Sequence, residues 1–177
     1  MNIGCHGLVW TGNFDAEGIR LAVHKTREAG FDLIEFPLMD PFTFDVSVAK
    51  DALEEYDLAV SASLGLSEAT DVTSADPAIA AAGEALLVKA VDVLADLGGE
   101  HFCGVIYSAM KKYMEPVTPE GLASSKAAIA RVADHAAARG VSVSLEVVNR
   151  YETNVLNTAR QALAYIAEVD RPNIGIH

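Results

Sequence analysis

The sequence is short of several things, and each shortage removes a class of protein. It has two cysteines, Cys5 and Cys103, far apart and without CxxC spacing. That offers no disulfide framework and no zinc-finger pattern, and both thiols read as buried and reduced. Basic residues are scarce: 13 Lys and Arg stand against 25 Asp and Glu, for a formal net charge of −12. Such a balance argues against a nucleic-acid partner and against docking on an anionic membrane. No apolar run approaches the ~18 residues of a membrane span. Met1-Asn2-Ile3-Gly4 lacks the basic and apolar regions of a signal peptide, so a soluble, cytoplasmic protein is expected. There is no P-loop, GxGxxG, GxSxG or HExxH, which leaves the phosphate-cradling, dinucleotide, serine-hydrolase and zincin signatures unfilled.

What is present is a folded chain. Of 177 residues, 51% are apolar, enough for one core and one domain over residues 1–177. Short apolar runs rich in β-formers begin at Ile3, Leu33, Ala59, His101, Ser142 and Ile174, at spacings of 30, 26, 42, 41 and 32 residues. The stretches between them read as helices. Asp76-Pro77 and Thr118-Pro119 supply an N-cap followed by proline at the first helical position. Thr158 with Gln161 has the spacing of a capping box. Gly30, Gly98 and Gly140 close helices. Strands alternating with helices predict βα units and a parallel sheet.

Parity along the strands narrows the architecture. In Ser142–Val148, Val143, Leu145 and Val147 share one face while Ser142, Ser144 and Glu146 share the other. In Ala59–Leu64, Val60, Ala62 and Leu64 oppose Ser61 and Ser63; in the first strand, Ile3 and Cys5 oppose Gly4 and His6. An open sheet with helices on both faces would carry continuous apolar runs instead. One apolar and one small, polar face fits an α/β (β/α)8 TIM barrel, helices outside and polar groups at the C-terminal strand ends. The count is five βα units plus a sixth strand, against about 250 residues for a full barrel. An incomplete barrel or an open α/β sheet are the alternatives.

Leu145-Glu146-Val147-Val148-Asn149-Arg150-Tyr151-Glu152 is the densest polar cluster. A carboxylate at a strand's C-terminal end, as at Glu146, is placed to ligate a divalent metal or to act as a base; equally, it could pair with a lysine or arginine. Glu152 follows in the loop, and Asn149 and Arg150 read as loop-structuring. His6 shares the polar face of the first strand, Trp10 follows it, and both suit the wall of a sugar pocket. Glu35 ends the second strand in a similar position.

The run LEVVNRYE resembles a motif of the D-tagatose 3-epimerase family, which includes the D-psicose and L-ribulose 3-epimerases. Gly30–Phe36, Ser63-Leu64-Gly65-Leu66, Leu156–Ala159 and Ala164-Tyr165-Ile166 are also similar, and the likeness covers essentially the whole chain. His6 and Gly7–Trp10 lean toward the L-ribulose type. The resemblance implies a metal-dependent ketose 3-epimerase on a (β/α)8 barrel, a small ketose as partner and a homo-oligomer, dimer or tetramer, at full length. It implies Mn²⁺, or Co²⁺ or Mg²⁺, held by Glu, Asp, His and Glu. One glutamate removes the C3 proton to give a cis-enediolate, and the other returns a proton from the opposite face. By the same resemblance Glu146 is catalytic and a metal ligand. Glu152 meets the substrate's O1 end, and His6, Trp10 and Ser63 contact substrate or line its pocket. Met110 stands where several members have a pocket tryptophan.

The family's aspartate ligand, its histidine ligand and its second glutamate have no place in this chain. His177 lies two positions before the place of that aspartate. The expectation is therefore a chain that is inactive alone. The other readings are another xylose-isomerase-like enzyme, such as a hydroxypyruvate isomerase or inosose dehydratase, and a non-catalytic half-barrel fragment.

Overall fold

The computed structural model describes residues 2–177. Six parallel strands form one sheet: β1 (Gly4–His6), β2 (Leu33–Pro37), β3 (Ala59–Leu66), β4 (His101–Ala109), β5 (Ser142–Leu145) and β6 (Ile174–Ile176). Their spatial order is their chain order. Five helices connect them: α1 (Ala16–Glu28), α2 (Val46–Tyr56), α3 (Pro77–Asp96), α4 (Pro119–Ala138) and α5 (Ala159–Val169). Right-handed crossovers in unbroken sequential order place every helix on the same side. The result is a partial barrel wall, not a doubly wound sheet, in which the strand order reverses.

The helices begin where the sequence caps them. Asp15, Asp45, Asp76, Thr118 and Thr158 each accept a first-turn backbone N–H. Gln161 differs slightly from its expected role. Its amide oxygen takes the N–H of Asn157, one residue before the cap, while Thr158 takes the N–H of Gln161. Gly30, Gly98 and Gly140 sit at positive φ just past their helices, where a side chain would be strained. Asp57 and Asp170 do the same at the ends of α2 and α5.

The parity holds where the wall is thick. Ile34, Phe36, Ala62, Leu64, Phe102, Val143 and Leu145 are all buried under the helices. At the two edge strands it thins: Ile3 and Ile176 are exposed, because each edge has a neighbour on one side alone. The strand lengths differ from the sequence reading. β3 and β4 run on to Leu66 and Ala109, whereas β5 stops at Leu145 instead of Val148. The Glu146 N–H still bonds to Gly104 O (3.0 Å), but Val148 N then turns to Leu156 O. The chain leaves the ladder there because the loop supplies the partners.

Register sets the stagger. His6 pairs with Glu35, and Glu35 with Ser61. Ser63, two residues further along β3, pairs with Cys103, and Cys103 with Ser144. Climbing two residues every second strand therefore links His6, Ser63 and Glu146 on the odd-numbered strands. The same climb links Glu35, Cys103 and, through the pairing of Ser144 with Gly175, His177 on the even ones. Side chains of alternate strands forming separate inward layers is the barrel's packing rule.

Candidate active site

The odd layer opens into a cavity of about 270 Å³ at the C-terminal strand ends. Its polar groups are His6, Ser63 and Glu146; Leu8, Met39 and Met110 supply apolar wall. Gly104 makes part of the floor possible. Its φ is +132°, and a Cβ there would stand 2.1 Å from Leu64 O, so no side chain fits between β3 and β4 at that level.

His6 is the best-fixed member. Its Nδ1 accepts the Leu8 N–H (3.2 Å), which leaves the neutral ring its proton on Nε2. Nε2 lies 3.1 Å from Ser63 Oγ and 3.5 Å from Glu35 Oε1. The Nε2 of the histidine thus faces both Ser63 and the Glu35 carboxylate. The backbone of Glu146 is also pinned: its N–H donates to Gly104, and its carbonyl accepts the Tyr107 hydroxyl at 2.8 Å. Tyr107 is fully buried, and burial, with the charge of Glu146 next in size, raises its pKa and keeps it a donor. The Glu146 side chain, by contrast, takes part in none of the ion pairs among the described residues. The lysine or arginine partner that would make it structural is missing there.

Two predicted residues lie elsewhere. Trp10 is half-buried, and its indole N–H donates to Thr26 on α1 at 2.9 Å. That bond turns it toward the helix, away from the residues lining the cavity. Glu152 sits in the loop after β5, its carboxylate hydrogen-bonded by the Asn149 amide and its carbonyl bonded to Lys111 N. Asn149 also accepts the Tyr151 N–H at 2.8 Å, so it does structure the loop.

The structure gives Glu35, a candidate from the sequence, its partners, and adds Tyr107, which sequence reasoning left out of the site. Glu35 stands between His6, Ser61 and Cys103, with Oε2 3.5 Å from both Ser61 Oγ and Cys103 Sγ. Strand parity was its available signal. Cys103 is a buried free thiol, as expected, while Cys5 is half-buried. Burial pushes the Cys103 thiol well up, and the Glu35 carboxylate pushes it further. Tyr107 gave no signal, because its role depends on where the chain leaves β5.

A sequential parallel wall with helices outside and polar side chains converging at the C-terminal strand ends defines part of a barrel of the (β/α)8 class. Comparison with known proteins gives the family: residues 23–177 match the xylose isomerase-like TIM barrel model, and the chain belongs to that family. It is 75% identical over its whole length to a ketose 3-epimerase of Arthrobacter globiformis, covering 61% of that protein. It is 53% identical to an L-ribulose 3-epimerase of Methylomonas sp., covering 62%. The crystal structure of a Methylomonas D-allulose 3-epimerase in complex with D-allulose superposes on all of this chain with a TM-score of 0.98, at 53% identity over 62% of that chain. The chain thus spans about three fifths of these relatives.

Proposed function

We propose that these residues carry part of the site of a metal-dependent ketose 3-epimerase. The observation that supports it is a Glu146 carboxylate without a protein cation, facing a sugar-sized cavity alongside His6 and Ser63. A pinned backbone with a free carboxylate is what a base needs: a fixed position and an unspent lone pair. Glu146 takes the C3 proton of the ketose. The Nε2–H of His6 and the hydroxyl of Ser63 bind substrate hydroxyls, and Glu152, held at the rim by Asn149, binds the O1 end. Trp10 keeps the segment that follows His6 against α1.

The donor set fits a hard divalent ion in part. Glu146 offers an unpaired carboxylate oxygen, which suits Mn²⁺, Co²⁺ or Mg²⁺. When bound, such an ion polarises the ketose oxygens and lowers the barrier to deprotonation at C3. A lone carboxylate holds such an ion poorly, so residues 1–177 by themselves do not epimerise ketoses.

The test is a chimera in which this chain replaces the matching part of the Arthrobacter ketose 3-epimerase. It is expected to interconvert D-fructose and D-allulose. Glu146→Gln should cut exchange of the C3 proton with solvent by about 10²–10⁴-fold, the range of general acid–base catalysis. Retained exchange would remove Glu146 from the chemistry. The 177-residue chain supplied with Mn²⁺ should give no product.

A further inference from the structure

The geometry points to a second metal site, built from Glu35, Cys103 and His177 in the layer beneath the sugar cavity, that takes Zn²⁺ or Co²⁺ rather than Mn²⁺ or Mg²⁺. The carboxylate oxygen, the thiol sulfur and an imidazole nitrogen of these three all lie within 4.8 Å of one another. They come from three different strands, β2, β4 and the residue after β6, and the register makes them members of one inward layer. Their approach follows from the stagger of the barrel wall, so it is not a chance meeting of surface groups. The Cys103 Sγ–Glu35 Oε2 distance is 3.5 Å. A tetrahedral zinc, with Zn–S about 2.3 Å and Zn–O about 2.0 Å, separates those two donors by about 3.5 Å. An imidazole nitrogen of His177 is the third donor of the group.

The surroundings fit a metal site as well. Glu35 is held from behind by His6 on one oxygen and Ser61 on the other, the outer-shell support that orients a ligating carboxylate. Without a metal, the thiol and the carboxylate beside it are an awkward pair: the sulfur keeps its proton first because it is buried and then because its charged form would face Glu35. A borderline divalent cation such as Zn²⁺ or Co²⁺ reverses that preference. Binding expels the thiol proton to solvent and forms the metal–sulfur bond, so one proton leaves per metal bound. A thiolate and an imidazole select Zn²⁺ or Co²⁺ over the harder Mn²⁺ and Mg²⁺. Glu146 belongs to the other layer and is not a ligand, so this site does not depend on the epimerase reading.

The experiment is a Co²⁺ titration of the 177-residue chain under reducing conditions. One equivalent should produce the intense near-ultraviolet thiolate-to-cobalt band, which Zn²⁺ removes stoichiometrically and Mg²⁺ or Mn²⁺ leaves alone. Cys103→Ser should abolish the band, and His177→Ala and Glu35→Gln should each weaken binding about tenfold or more. Glu146→Gln should leave it unchanged. Absence of the band, its survival at full affinity in His177→Ala, or its loss in Glu146→Gln would overturn the assignment. Because His177 is exposed, His177→Ala decides the matter even if Cys103→Ser fails to fold.

Discussion

At the scale of single residues, the site depends on groups held from outside it. Tyr107 holds the carbonyl of Glu146, and Tyr107's own carbonyl accepts the buried Ser125 hydroxyl at 2.5 Å. Ser125 also meets the Tyr165 hydroxyl at 2.7 Å, so a chain of buried polar contacts runs from the cavity to α5. Ser125→Ala leaves two buried groups without a partner and should cost about 1–3 kcal/mol; urea denaturation measures it. Gly104→Ala should be worse, because its Cβ has nowhere to go and its φ is one that side chains rarely adopt. A loss of about 3 kcal/mol or more is expected from clash and backbone strain together, read as a fall in denaturation midpoint. Glu146 and His6 were legible at this scale, since parity alone puts both on the polar face. Trp10 was read from its position after β1; its hydrogen bond to Thr26 depends on how α1 packs, which no spacing reveals.

At the scale of elements, the caps tie the helices to pH. The Asp15 carboxylate is held below its ordinary range, first by the Gly18 N–H, then by the Asn13 amide and the Glu17 N–H. Asp45 is lowered likewise by Ser47 and Val48. A lowered native pKa gives stability that is present above the unfolded value, about 3.9 for aspartate, and is lost as pH falls through the native one. Stability should therefore decline below about pH 4. Replacing Asp15 by Asn, which keeps an acceptor but cannot titrate, should make that decline shallower. Urea titrations across pH 2–6 (about the window those pKa values define) would show an unchanged slope if the cap carries no charge effect. The caps at Asp76, Thr118 and Thr158 and the glycine stops were read from the sequence because they are local chemistry, whereas those at Asp15 and Asp45 emerged with the structure. The early end of β5 was not, because its cause is the partner that Leu156 offers from beyond the loop.

At the scale of the whole molecule, the wall is firm in the middle and thin at its ends. β3 and β4 are paired on both sides and their outward side chains are buried, whereas β1 and β6 each have one paired neighbour and three residues. Opening free energy follows burial and pairing. Amide exchange should run fastest in β1 and β6 and slowest in β3 and β4, and uniform protection across the six strands would contradict this. No helix among the described residues is long and apolar enough to cross a membrane. The exposed apolar side chains Leu8, Met39 and Met110 instead gather at the cavity.

By itself the sequence determined the alternation of strands and helices, the N-caps of three of the five helices, and the polar face on which the proposed site lies. These follow from local periodicity and from hydrogen bonds a few residues long. Tertiary structure alone decided the stagger. A register between strands 26 to 42 residues apart puts His6, Ser63 and Glu146 in one layer and Glu35, Cys103 and His177 in the next. Parity assigns a residue to a face but says nothing of its height along the barrel axis. That height is fixed when neighbouring backbones pair, and with it which side chains share a site.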